Sequence, residues 1–223
     1  MSEMEHARGR LAAVEARKAA AAKVSGRDAG TIELIAISKT QSVDAITSLL
    51  AAGQRSYGEN RVQEAQVKWP ILKATYADVR LHLVGQLQSN KAAEAVELFD
   101  VIHSIDRLSL LTALAKALLD TKRRPDFYVQ VNIGDEPQKG GCPVSDLPIL
   151  LADASRLGVP IAGLMCIPPE GVEAAPYFAL LAKLARDHHL TGLSMGMSAD
   201  FETAVMLGAT SVRVGTALFG ARP

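Results

Sequence analysis

The chain predicts an α/β fold, a single (β/α)8 TIM barrel of parallel strands with helices outside and one extra N-terminal helix. Three observations carry this. Short apolar runs alternate with stretches of helical periodicity along the whole chain, each run the length of a strand buried on both faces. Eight such runs occur, the number that closes a parallel sheet into a barrel. The alternative, an open doubly wound sheet, expects a glycine-rich turn after its first strand, and Ser38-Lys39-Thr40-Gln41 contains no glycine.

The elements follow in order. Residues 1–25 alternate alanine with charge and lack a continuous apolar segment, which predicts an amphipathic helix against the outside of the barrel and not a signal peptide. Strands are expected at 34–38, 55–57, 81–84, 101–104, 127–131, 161–165, 192–194 and 211–214. Helical periodicity fills 43–52, 60–73, 91–98, 108–119, 146–157, 172–188 and 199–207. No linker divides the chain, so residues 1–223 are expected to form one domain.

Composition excludes several classes of partner. Lysine plus arginine equals aspartate plus glutamate at 24 each, so no global field draws the chain to nucleic acid or an anionic membrane. No run reaches membrane-spanning length. Cys142 and Cys166 form neither a disulfide framework nor a metal-ligand spacing, and His103, His188 and His189 share no ligand spacing, so a reducing cytoplasm and no metal are expected. The polar, charge-balanced helices show no apolar patch for a dimer, and a monomer is expected.

Lys39 is the first long polar side chain beyond the first strand. A lysine at the mouth of a sheet either sits in solvent or, deprotonated, attacks a carbonyl. The opposite end of the sequence bears on that choice. Polar and small residues follow every strand: Asn60 after the second, Met195-Gly196-Met197-Ser198 after the seventh, Gly215-Thr216 after the eighth. The C-terminal rim of a parallel barrel is where active sites form, and the loops after strands seven and eight commonly hold phosphate. Ser198 is placed to cap a helix beginning near Ala199, Gly196 lets backbone approach a ligand, and Gly215-Thr216 offers further amides. A phosphorylated aldehyde uses both the amine and the cradle, and pyridoxal 5'-phosphate (PLP) is the common biological one. Arg213, two residues before Gly215, either pairs with a barrel carboxylate or faces the pyridine nitrogen, where a guanidinium that does not deprotonate leaves that nitrogen without a proton.

The text Ala36-Ile37-Ser38-Lys39-Thr40, Tyr57-Gly58-Glu59-Asn60-Arg61, His82-Leu83-Val84-Gly85-Gln86, Ser194-Met195-Gly196-Met197-Ser198 and Arg213-Val214-Gly215-Thr216 occurs in order across nearly the whole chain. In this it resembles the pyridoxal phosphate homeostasis proteins (YggS/PROSC-like), which are similar to the N-terminal barrel of alanine racemase. The resemblance implies a Schiff base on Lys39, phosphate contacts from Ser198, Gly215 and Thr216, Arg213 at the pyridine nitrogen, and Asn60, Met195 and Gly196 near the cofactor. Gln86 and Cys166 depart from the family's usual residues. Gln138-Lys139-Gly140 resembles a family loop whose lysine either moves cofactor or is simply solvated.

Two classes of function stay open, with a third beside them. One is a binding protein that holds PLP, hands it to apo PLP-enzymes and indirectly steadies amino-acid and keto-acid pools. The alternative is a barrel-only PLP-dependent amino-acid racemase, which needs acid and base on opposite faces of Cα. Only Lys39 has an obvious claim to such a role, since Tyr57 and His82 read as packing. A sugar-phosphate aldolase using Lys39 also fits a barrel with a phosphate cradle.

Overall fold

The computed structural model describes residues 3–220; the other five residues of the expected 1–223 domain lie outside the described residues. The strands are β1 (Glu33–Ile37), β2 (Ser56–Glu59), β3 (Arg80–Leu83), β4 (Val101–Ile105), β5 (Asp126–Val131), β6 (Ile161–Cys166), β7 (Gly192–Ser194) and β8 (Ser211–Val214). All pair in parallel in chain order, and β8 pairs back to β1 with Ile35 opposite Arg213, so the barrel is closed. No sheet edge is left exposed.

Helices cover the outside: α1 (Glu3–Val24), α2 (Val43–Ala51), α3 (Val62–Thr75), α4 (Ala92–Leu98), α5 (Leu108–Leu119), α6 (Leu147–Arg156), α7 (Ala175–Asp187), α8 (Phe201–Met206) and α9 (Thr216–Phe219). Several boundaries differ from expectation for identifiable reasons. β2 runs on to Glu59 because that carboxylate, polar in sequence, is fully buried and hydrogen bonded. Helix α7 starts three residues late, with Pro176 in its first turn, where a missing N–H costs nothing. Helix α8 begins at Phe201, not Ala199, because residues 198–200 form a turn.

Leu34, Ala36, Tyr57, Leu81, Val212 and Val214 belong to the apolar layer between sheet and helices, which also takes in Trp69, Phe178 and Phe201. The interior of the barrel is more polar. His82 Nδ1 lies 3.0 Å from His103 Nε2, and Tyr128 stacks on His103 with centroids 4.7 Å apart. Glu33 Oε1 stands 3.3 Å from His82 Nε2 and accepts from Ser56 Oγ at 2.7 Å. Burial raises the Glu33 pKa, but His82, Ser56 and Arg80 outweigh it and bring the carboxyl to about 2. Burial, with His82 and Arg213 adding positive charge, puts His103 well below its ordinary 6.5.

Helix α1 is latched to the elements that close the barrel. Arg10 Nε donates to the Leu218 carbonyl at 2.6 Å, Arg17 pairs with Glu202 and lies 4.7 Å over the Phe201 ring, and the buried Lys18 donates to Ile32 O at 2.9 Å. Just beyond α1, Arg27 donates to Val205 O at 2.7 Å and Ala209 O at 2.8 Å, satisfying carbonyls at the end of α8. The expected outer helix therefore braces α8 and α9, the two helices that follow β7 and β8.

Two outcomes follow for stability. Arg27→Ala should cost about 1–3 kcal/mol, the usual value for lost charge-assisted hydrogen bonds, read as a lower denaturant midpoint. His103 has a depressed folded-state pKa, so the unfolded chain takes up its proton first. Its contribution is complete above about pH 6.5 and is lost as pH falls below it, by up to about 1.4 kcal/mol per unit. Unfolding midpoints measured from neutral pH downwards should show this decline, and His103→Asn should flatten it.

Candidate functional site

The period-two alternation of β1 continues past its end. A Cβ added at Gly58 would meet Ile37 Cδ1 at 2.6 Å, Ile35 Cγ2 at 3.1 Å and Val84 Cγ1 at 3.6 Å, so Ile35 and Ile37 face inward. Ser38 turns outward to Glu59 (Ser38 Oγ to Oε1, 2.7 Å), and Lys39 turns back in. It enters a cavity of about 210 Å³ at the C-terminal mouth of the barrel, lined also by Ile37, Gln41, Asn60, Val84, Ile167, Met197, Ser198, Arg213, Gly215, Thr216 and Gly220.

The Lys39 amine is unengaged. Lys18, Lys68, Lys73, Lys91 and Lys139 all have ion-pair or carbonyl partners. Among the described residues, Lys39 is the one lysine that is partly buried and has no hydrogen bond or ion pair. Among the described residues no carboxylate lines the cavity either.

Arg213 projects from β8 into the same space. It is 4% exposed and donates to Ser194 Oγ at 2.8 Å and to the Cys166 carbonyl at 2.9 Å, both neutral. The carboxylate partner considered from sequence is not what holds it. Burial pulls its pKa below the usual arginine range. The Cys166 thiol belongs to the apolar layer, and burial raises its pKa to about 12; its backbone oxygen, not its sulfur, supports the site.

Another part of the wall consists of the two turns that follow β7 and β8. Backbone pairing of β7 with β8 extends beyond the strands through Met195 N–H to Ser211 O (3.2 Å) and Arg213 N–H to Gly196 O (3.0 Å), bringing the turns together. Ser198 does not cap α8 as expected. Its Oγ accepts from Gly215 N–H at 3.3 Å and ties one turn to the other, while Asp200 Oδ1 takes the Met197 N–H at 2.6 Å. Among the described residues, the N–H groups of Ser198, Ala199, Thr216 and Ala217 donate to no protein acceptor. These amides, with two hydroxyls, suit an anion.

Lys39, Asn60, Ser198, Arg213, Gly215 and Thr216 thus share one cavity. Met195 and Gly196 do not line it. Met195 is fully buried in the apolar layer, and Gly196, at φ 93°, is needed because a Cβ there would lie 2.5 Å from Ala204 Cβ. Gly196 therefore serves the packing of α8. Lys139 is held away from the cavity by Glu136 (2.5 Å) and Pro168 O (3.0 Å), so the free loop lysine expected from sequence is engaged. Gln86 donates to Gln130 Oε1, and Gln130 donates to Gly140 O, fixing that loop. Tyr57 and His82 are core residues. Sequence reasoning gives Met197, Gln41 and Ile167 no role in the site, although all three follow strands and line the cavity, and it does not pair Ser194 with Arg213; the period-two pattern of β7 is the available signal for Ser194.

The family model for the alanine racemase N-terminal domain matches residues 10–223. The chain is 41% identical over 220 residues to the pyridoxal phosphate homeostasis protein of Pseudomonas aeruginosa, covering 95% of this chain and 94% of that one. It is 38% identical to the protein of the same name from Escherichia coli, with 95% of each covered. The solved structure of PipY of Synechococcus elongatus with PLP bound superposes with a TM-score of 0.83 at 40% identity, covering 96% of this chain and all of that one. Sequence and barrel topology agree, and the chain belongs to the alanine racemase N-terminal domain family, within its pyridoxal phosphate homeostasis branch.

Proposed function

We propose that this chain binds pyridoxal 5'-phosphate on Lys39 and acts as a holder and donor of the cofactor in PLP homeostasis. The carrying observation is the partly buried, partnerless Lys39 amine in the same cavity as Arg213 and the paired amide turns. The donor set fits the group: one free amine for an aldehyde, unused amides and hydroxyls for a phosphate dianion, and one buried cation supported only by neutral acceptors. PLP bound to PipY supports the same reading.

In this reading Lys39 condenses with the aldehyde carbon, forming C=N and releasing water. Ser198, Gly215 and Thr216 hold the phosphate, and Asn60 flanks the ring. Met195 and Gly196 contribute by shaping the turn from behind. Arg213 donates to the pyridine nitrogen and keeps it unprotonated. The cofactor itself supplies an electron-withdrawing ring, weakened as a sink when that nitrogen carries no proton. Such a site suits retention and release better than chemistry at Cα. The chain is read as one domain, a cytoplasmic monomer that delivers PLP to apo PLP-enzymes. In support, among the described residues no helix is long and apolar enough to cross a membrane.

A barrel-only racemase is not favoured, because among the described residues Lys39 and Arg213 are the only ionisable side chains lining the cavity, and none of those residues offers a second base there. Two measurements test the proposal. Addition of PLP should give the yellow absorbance of a protein-bound imine, absent in Lys39→Ala; a parent protein without it, as the aldolase reading expects, refutes PLP binding. Incubation of the loaded protein with L-alanine in deuterated water should leave Cα essentially unexchanged, whereas racemase-like exchange would overturn the holder reading.

A further inference from the structure

Behind Lys39, on the outer side of the sheet, lies a buried charged cluster that the cofactor reading does not use. Lys68 on α3 donates to Glu64 Oε1 at 2.8 Å and to the Ser38 carbonyl at 2.9 Å, and pairs with Glu59 Oε1 as an ion pair at 2.8 Å. Glu59 also accepts from Ser38 Oγ and from Trp69 Nε1 at 3.0 Å. Glu64 accepts the Thr40 N–H at 2.6 Å. Both residues flanking Lys39 are therefore held by one cluster.

The backbone these bonds hold is strained. Gln41 N–H donates to Ser38 O at 3.1 Å, closing a turn with Lys39 and Thr40 at its centre, and Thr40 has φ 62°. Turns of this kind normally place glycine or asparagine at that position; a β-branched residue persists there only when its surroundings over-determine it. The Glu64 bond to Thr40 and the Lys68 bond to Ser38 supply that constraint.

We infer that Glu59, Lys68 and Glu64 are positioning residues for Lys39. They lock the Ser38–Gln41 turn so that the amine is aimed into the cavity instead of into solvent. The inference rests on the proposed attachment of PLP at Lys39, and it also makes a statement about the unloaded protein.

The test uses the full chain with Glu64→Ala, Glu64→Gln and the double variant Glu59→Gln with Lys68→Met, which removes the buried charges together and so limits the loss of stability. PLP loading should slow about tenfold in Glu64→Ala and in the double variant, the scale expected when a reacting group is misplaced. In the unloaded protein, acylation of Lys39 relative to the exposed Lys122, read by peptide mass spectrometry, should rise about threefold as the turn releases the amine. Glu64→Gln keeps an acceptor for Thr40 and should match the parent in both assays. Parent-like loading and an unchanged or lower Lys39 to Lys122 ratio in Glu64→Ala and the double variant would overturn the inference. A parent that never acquires the imine absorbance would refute PLP attachment, while the acylation ratios would still decide whether the cluster positions Lys39.

Discussion

The arrangement of the rim depends on the alternation of β1 persisting beyond the last residue of the strand. Ser38 faces out and is gripped by Glu59; Lys39 faces in and is left unpaired. Had the outward residue been apolar, the turn would have no polar anchor on its helix side. Because the barrel closes through β8 onto β1, the same register sets Arg213 opposite Ile35 and carries the Gly215 turn to the edge of the Lys39 cavity. Closure, which removes sheet edges, is thus also what brings residues 39 and 213–216 together.

The electrostatics of the site run against ordinary burial. A guanidinium with little solvent and no carboxylate is costly, and here neutral acceptors on β6 and β7 orient it without cancelling its charge. Lys39 is likewise left without an anion, although the cluster behind it contains two carboxylates. The sheet separates these populations: acids with Lys68 on the helix side, uncompensated cations and free amides on the cavity side. That segregation creates a field that suits an anionic ligand before any ligand arrives.

Much of this was legible in the sequence, and what was not has physical reasons. The short runs located every strand, because the face turned to the helices is largely apolar; β2, Ser56–Glu59, is the weakest of them because polar residues occupy half of it. Lys39, Ser198, Gly215 and Thr216 are legible from their places after strands, and Arg213 from its place on the closing strand just before Gly215. Ser198 looks like a cap from local sequence, which starts the helix at the next residue; α8 begins three residues on, and the partner of Ser198, Gly215, is 17 positions away. At Gly196 the structure adds a packing demand from Ala204, a tertiary contact that no local pattern reports. Glu59 was placed in a loop because a buried carboxylate in a strand contradicts the hydropathy on which strand assignment relies, and only Trp69, Lys68 and Ser38, all distant or on the other element, make it tolerable.

That buried carboxylate poses an energetic question. A buried ion pair is weak evidence for stability, since its desolvation offsets much of the attraction and apolar residues of similar volume often do as well. Glu59 even leaves Oε2 without a partner. Stability alone therefore gives little reason for Glu59 and Lys68 on the helix side of β2. Position gives a better one: an apolar pair could fill the volume but could not bond the Ser38 carbonyl and hydroxyl, and with Glu64 also lost nothing would hold Thr40 at positive φ. The cluster accepts poor energetics in the apolar layer in return for a fixed backbone at the one residue whose amine must be aimed.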